Sequence, residues 1–134
     1  MIKKQFTLYL ENRPGALAKV TQRLGNEKIN IEAISVAAST DMSLVQILPS
    51  NAAKTRSILK KLAISFTVQY VSLLPLDNVP GALCKMVSAL AKSGVNINYI
   101  YATGNVSEKG AMDYMVISAP DLDKLEECWK QVCG

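Results

Sequence analysis

The stretch Asn12-Arg13-Pro14-Gly15-Ala16-Leu17 is written a second time, 66 residues later, as Asn78-Val79-Pro80-Gly81-Ala82-Leu83. The same offset also aligns Lys19, Leu24, Asn30, Ile31 and Ile34 with Lys85, Leu90, Asn96, Ile97 and Ile100. A period this long marks a duplicated domain rather than a solenoid of short repeats. A chain of 134 residues has room for one ordinary domain or two very small ones, and the repeat selects two. The expected domains are residues 1–70 and 71–134. Each repeated stretch reads as a strand-to-helix elbow. Proline suits the first helical position, where φ is already set and the missing N–H is an orphan anyway. Gly15 and Gly81, without a Cβ, then let a small anion approach the positive end of the helix dipole.

The rest of each copy follows by periodicity. Phe6, Leu8 and Leu10 alternate with Thr7 and Tyr9, which predicts a strand with one face inward; Leu74 and Leu76 hold the equivalent places. Leu17, Val20 and Leu24, and likewise Leu83, Met86, Val87, Leu90 and Ala91, recur at helical spacing. These helices are expected to stop near Gly25-Asn26 and Ser93-Gly94. Second strands are expected over 30–36 and 96–102. Third strands follow at 44–48 and 114–117, after a short turn at Ser39-Thr40-Asp41 and a longer one from Gly104 to Gly110. Pro49-Ser50 and Pro120-Asp121 offer N-caps for helices carrying Ile58, Leu59 and Leu62, and Leu122, Leu125, Trp129 and Val132. Only the first copy has an obvious fourth strand, Phe66–Tyr70, and it runs directly into Val71–Leu76.

The fold class is therefore α+β, with two tandem ferredoxin-like βαββαβ units. Each is an antiparallel sheet with its helices on one face, and the second unit lacks its last strand. That edge is left for a strand from this chain or from another. Apolar residues on both sides of several strands, such as Ile31 and Ala33 against Ile34 and Val36, predict a homodimer that covers the helix-free face.

Composition removes several function classes. No histidine occurs, which takes away the commonest general base and transition-metal ligand. Cys84, Cys128 and Cys133 lack the CxxC spacing of a zinc or redox pair, and no cofactor is expected. Asp121, Asp123, Glu126 and Glu127 read as helix-start and surface charge, so no catalytic residues are assigned. The net charge is +4: residues 1–70 carry ten basic against four acidic side chains, and 71–134 five against seven. Lys3-Lys4 and Lys60-Lys61 are too short for a nucleic-acid footprint. An RNA-recognition sheet needs exposed aromatics on its central strands, where only Tyr9 is available. Acylphosphatase-like chemistry would need an arginine cradle at the first elbow, where Arg13 stands alone. No apolar run approaches the roughly 20 residues needed to span a bilayer, and Met1-Ile2-Lys3-Lys4 leads straight into a strand pattern. The expectation is a soluble, unprocessed cytoplasmic protein with no membrane or nucleic-acid partner.

The paired elbows, each followed some fifteen residues later by Asn30-Ile31 or Asn96-Ile97, make the chain resemble a tandem ACT domain protein, the stand-alone form of a regulatory module associated with enzymes of amino-acid metabolism. The resemblance implies a non-enzymatic regulator that binds an amino acid at the interface between two ACT domains. It implies ligand-binding roles for Asn12, Pro14, Gly15, Ala16, Leu17, Asn30 and Ile31, and for Asn78, Pro80, Gly81, Ala82, Leu83, Asn96 and Ile97. Asn12 is expected to act with Asn96, and Asn78 with Asn30. Serine-sensing members carry a histidine two residues before the elbow asparagine; Leu10 and Leu76 stand there instead, which makes the pocket more apolar. Backbone N–H groups of the elbow suit a carboxylate and asparagine carbonyls suit an ammonium, with Glu11 or Asp77 adjacent. Ala33, Ser35, Tyr99 and Tyr101 are the candidate specificity residues. Against this stands a plainer reading, in which Asn-x-Pro-Gly only starts a helix, Asn30 and Asn96 only turn the chain, and the protein is a ligand-free interaction subunit of a metabolic enzyme.

Overall fold

A computed structural model describes residues 1–103 and 112–133. The chain divides into two compact units, residues 4–69 and residues 70–134 together with 1–3. In the N-terminal unit β1 (Ile2–Glu11, from residue 4) is followed by α1 (Ala16–Asn26), β2 (Ile31–Ala38), β3 (Met42–Pro49), α2 (Ala52–Lys61) and the start of β4 (Ser65–Asp77). The sheet order is β2-β3-β1-β4, that of a ferredoxin-like unit. β1 and β3 run antiparallel with Phe6 opposite Ile47 and Leu8 opposite Val45. Because side chains alternate along a strand, these four share a face, and they pack with Leu10, Val20, Leu24, Ile58 and Leu59 in one core. Phe66 and Val68 of β4 join it, the two Phe rings 5.7 Å apart.

The C-terminal unit repeats the plan with the rest of β4, α3 (Ala82–Lys92), β5 (Tyr99–Thr103), β6 (Met112–Ser118) and α4 (Leu122–Cys133), in the order β4-β6-β5. Its core gathers Leu74, Leu76, Met86, Leu90, Met115, Ile117, Leu125 and Trp129. The indole N–H of Trp129 donates to Pro75 O at 2.8 Å, so the largest buried side chain also closes its polar atom. The long turn expected over 104–110 lies outside the described residues. The strand absent from this copy is replaced from within the chain. Leu73 N–H donates to Met1 O at 2.8 Å, and the Met1 ammonium donates to Leu73 O at 3.1 Å and to Glu126 Oε1 at 2.7 Å.

Several boundaries differ from the periodicity reading. Asn51, not Ser50, caps α2, its Oδ1 accepting from Lys54 N; the Ser50 hydroxyl instead accepts from Asn30 N at 2.9 Å. β5 begins at Tyr99 rather than Asn96, pairing being initiated by Asn98 N donating to Ser118 O. α1 ends at Asn26, where the stop was expected, with Gly25 in its last turn. The left-handed residue that ends this helix is Lys28, φ 58°, with Lys28 N donating to Gly25 O and Ile29 N to Leu24 O, the paired bonds of a Schellman motif. Ala63 (φ 56°) closes α2 and Gly94 (φ 74°) closes α3 in the same way. An L residue in this conformation costs about 1–2 kcal/mol and glycine escapes that, less its greater unfolded freedom. Ala63→Gly should therefore raise stability by about 0.5–1 kcal/mol, read as an increased melting temperature, whereas Gly94→Ala should lower it.

Candidate functional site

Both elbows are type II β-turns. Ala16 N–H donates to Arg13 O at 3.3 Å and Ala82 N–H to Val79 O at 3.2 Å, while Gly15 (φ 87°, ψ −14°) and Gly81 (φ 86°, ψ −11°) hold the third position. That position requires positive φ and the one before it favours proline. Pro14 and Pro80 thus precede the helices instead of opening them, and the glycines serve as N-caps. The Ala16 and Ala82 N–H groups are engaged in the turns, and no side chain caps either helix. The next N–H groups, on Leu17 and Ala18 and on Leu83 and Cys84, are left as the donors at each helix start.

Asn12 is tied into its own unit. Its amide donates to Ser39 O at 2.8 Å, its Oδ1 accepts from Ser43 Oγ at 3.4 Å, and its backbone N–H donates to Asp41 O at 2.8 Å. The elbow is thereby fastened to the β2–β3 turn. Asn30 sits by Ser50, beyond the Ile31–Pro49 end of the β2–β3 pair, whereas β3 meets Glu11 at Met42. Seven residues of strand, roughly 23 Å, separate the two ends, so the N-terminal unit does not bring its own Asn12 and Asn30 together. Asn78 and Asn96 are both exposed, and Asn96 Nδ2 donates to Asn98 Oδ1 at 3.3 Å.

Beside each elbow lies a cleft, and the two clefts are built alike. In the N-terminal unit a cavity of about 410 Å³ is lined by Leu10, Glu11, Arg13, Ala16, Lys19, Val20 and Met42, and closed by Leu62–Ser65. In the C-terminal unit a cavity of about 220 Å³ is lined by Leu76, Asp77, Ala82, Lys85, Met86 and Met112, and closed by Pro75 and Val132. Leucine, acid, alanine and lysine recur at matched positions of the repeat, and a methionine from the following hairpin recurs with them. The lysine is placed by the helix: its backbone N–H closes the first intrahelical bond, to Gly15 O or Gly81 O at 3.0 Å. The clefts differ at one charge. Arg13 Nε donates to Glu11 Oε2 at 2.8 Å, while Val79 occupies the corresponding place. Among the described residues Asp77 has no ion pair.

The candidate specificity residues lie elsewhere. Ala33 and Ser35 pair with Leu48 and Gln46, on the face of the N-terminal sheet turned away from its helices. Tyr99 and Tyr101 pair with Ser118 and Val116, on the corresponding face of the C-terminal sheet, their rings stacked at 6.4 Å. Burial, with Tyr99 alongside, raises the Tyr101 phenol well above its ordinary value.

The family profile described as the ACT domain pair matches residues 1–126. The chain belongs to that family. The ACT domain pair is a regulatory module rather than a catalytic one. No curated protein matches the chain. Among solved structures, protein BT0572 from Bacteroides thetaiotaomicron superposes with a TM-score of 0.88 at 32% identity, over 98% of this chain and 88% of that one. The ligand-free regulatory subunit of aspartate kinase from Thermus thermophilus gives 0.70 at 17% identity, over 100% and 96%. The regulatory subunit of aspartate kinase from Thermus flavus gives 0.66 at 19%, again over 100% and 96%. At these lower identities the likeness concerns the ACT fold.

The ACT elbows and their asparagines are legible in the sequence, whereas Lys19 and Lys85 stand out there only as repeat matches. Their signal was their position: one turn past an uncapped helix start, next to an acid at the strand end. Two outcomes follow. Asn12→Ala removes the amide bonds that fasten the elbow and should cost about 0.5–1.5 kcal/mol in chemical denaturation, with far-UV circular dichroism unchanged. A raised folded-state phenol pKa contributes stability that is complete below the unfolded value, 10.0, and is lost as pH rises from there toward the folded value. The Tyr101→Phe protein should therefore lose less stability than the parent above about pH 10.

Proposed function

We propose that this ACT domain pair is a regulatory protein that binds a small amino acid and signals its occupancy to a metabolic enzyme. The observation that carries the reading is the cleft built twice from matched residues, each lined by an acid at the strand end and a lysine, beside a helix start whose N–H donors no side chain caps. Opposite charges so arranged are complementary to a zwitterion: the α-carboxylate pairs with lysine and the helix N–H groups, the α-ammonium with the acid. Structural neighbours named as aspartate kinase regulatory subunits support the regulatory role and suggest that a separate kinase or similar enzyme is the listener. Following the family pattern, the ligand lies at the interface between the two ACT domains. There Asn12 acts with Asn96 and Asn78 with Asn30, beside the elbow residues Pro14 to Leu17 and Pro80 to Leu83 and the strand starts Ile31 and Ile97. The protein works in the cytoplasm as a homodimer. No described helix is long and apolar enough to cross a membrane.

One observation favours a second reading for half of the molecule. Asn12 already spends its amide on the β2–β3 turn, as a purely structural elbow would, so the N-terminal unit can serve as a protein-interaction scaffold while the other binds ligand. A thermal-shift screen against the twenty amino acids and their keto-acid precursors tests both readings, because a ligand of the folded state raises stability by RT ln(1 + [L]/Kd). A rise with one or two amino acids supports the sensor. No rise with any supports the ligand-free subunit. For the active ligand, the Asn12→Ala and Asn96→Ala effects on affinity should be non-additive by more than about 0.5 kcal/mol; additive effects would remove the cross-domain pairing.

A further inference from the structure

We infer that the cleft of the C-terminal unit is a site for an apolar amino acid, held as a zwitterion between Asp77 and Lys85. The inference rests on the amino-acid-binding reading above and narrows it to one cleft and one ligand class.

The two clefts share a plan and differ in what remains available. Glu11 is engaged by Arg13 at 2.8 Å, so an incoming ammonium must displace a guanidinium already in place, and a free cation remains on the cleft wall. At the second elbow Val79 replaces that arginine. Asp77, exposed and without an ion pair among the described residues, is open to an ammonium. Lys85 lines the same cavity, and at the adjoining start of α3, where no side chain provides a cap, the Leu83 and Cys84 N–H groups can share a carboxylate. The two charged groups of an amino acid are thus both answered.

The remaining wall is apolar. Leu76, Met86, Met112 and Val132 line the cavity, whereas the N-terminal cleft adds Arg13 and Ser65 to its own charged pair. A charged ligand side chain against Leu76 and Met86 would be desolvated without a partner, while an aliphatic one would bury surface there. Met112 and Met86 can adjust to branched or linear shapes. At about 220 Å³ the cavity is smaller than the roughly 300–1,000 Å³ of pockets for drug-sized ligands, which suits a small molecule. It accommodates a molecule of the size of valine, leucine or methionine.

The test is isothermal titration of the full chain with leucine, valine, methionine, serine, lysine and aspartate. Leucine's α-keto acid, which lacks the ammonium, and its decarboxylated amine, which lacks the carboxylate, are titrated alongside. The expected result is saturable binding of the apolar amino acids in preference to the other three, with both truncated analogues at least about tenfold weaker, the equivalent of one lost ion-paired contact. Asp77→Asn and Lys85→Gln should each weaken leucine by a similar factor. Glu27→Gln and Lys61→Gln, exposed charges that line neither cleft, should leave it within about twofold. All four positions are exposed, and the analogue series reads the same contacts on the unaltered protein. Tighter binding of serine, lysine or aspartate, equal binding of the truncated analogues, or unchanged leucine binding in the Asp77 and Lys85 variants would overturn the assignment. If a polar amino acid binds through Asn12 and Asn96, this inference fails and the sensor stands; if no amino acid binds, both fall.

Discussion

A glycine at positive φ, placed one residue after a proline, is the constraint on which each half of this protein depends. The type II turn it permits ends a core strand and starts a helix within four residues. Gly15 φ is 87° and Gly81 φ is 86°, so the same turn is built in both units. A Cβ at either glycine would meet no heavy atom within 4 Å, so backbone conformation rather than crowding makes the residue necessary there. The turn has three consequences. It consumes the first helical N–H and leaves the following ones uncapped. It puts the acid at the strand end beside the first helical turn. It also sets the repeat lysine, one turn later, over the same cleft. Removing the left-handed residue would therefore disturb the cleft together with the local fold.

Much of this was legible in the chain because it is local. Alternation along β1 and helical spacing along α1 and α3 each depend on a handful of neighbours, and the 66-residue repeat doubled every such signal. What local pattern misjudged was the part each elbow residue plays. Proline before glycine fits a helix start and a type II turn equally well, and the choice between them is made by the Ala16 N–H bond to Arg13 O, which no composition rule contains. Ser50 reads as the cap of α2 by local pattern, but its hydroxyl accepts from Asn30 N, twenty positions away, and Asn51 caps the helix instead. Ala63 and Lys28 in left-handed conformation were invisible because propensity assigns that place to glycine. There tertiary packing of Ile64 and Ile29 into the core outweighs a cost of about 1–2 kcal/mol each.

The strand absent from the second repeat shows why duplication alone underdetermines a fold. Among the described residues no strand follows α4, and the side of β4 turned away from β6 must be covered or it recruits another chain. Within this unit residues 1–3 do the covering, 72 positions from Leu73 in sequence. Glu126 of α4 fastens them from the helix side, receiving the Met1 ammonium and the Ser72 hydroxyl on its two carboxylate oxygens. Nothing in the Met-Ile-Lys pattern marks it as a substitute strand, because pairing of this kind is decided by which edge is left open elsewhere.

Duplication followed by a single change of charge also makes a matched pair of clefts unequal. Two identical clefts would fill together, and their combined effect on a partner would follow total occupancy alone. Arg13 pairs with Glu11 in one unit, and Val79 stands in its place in the other, where Asp77 has no ion pair among the described residues, while the fold stays common to both. A ligand can move an equilibrium only by its difference in affinity between two arrangements. On the proposed reading, one open and one internally paired acid would let that difference arise in one half of the molecule and leave the other half for contacts with a partner. The exposed Arg13–Glu11 pair, worth about 0–1 kcal/mol to stability, then matters less as a brace than as the feature that makes the halves unequal.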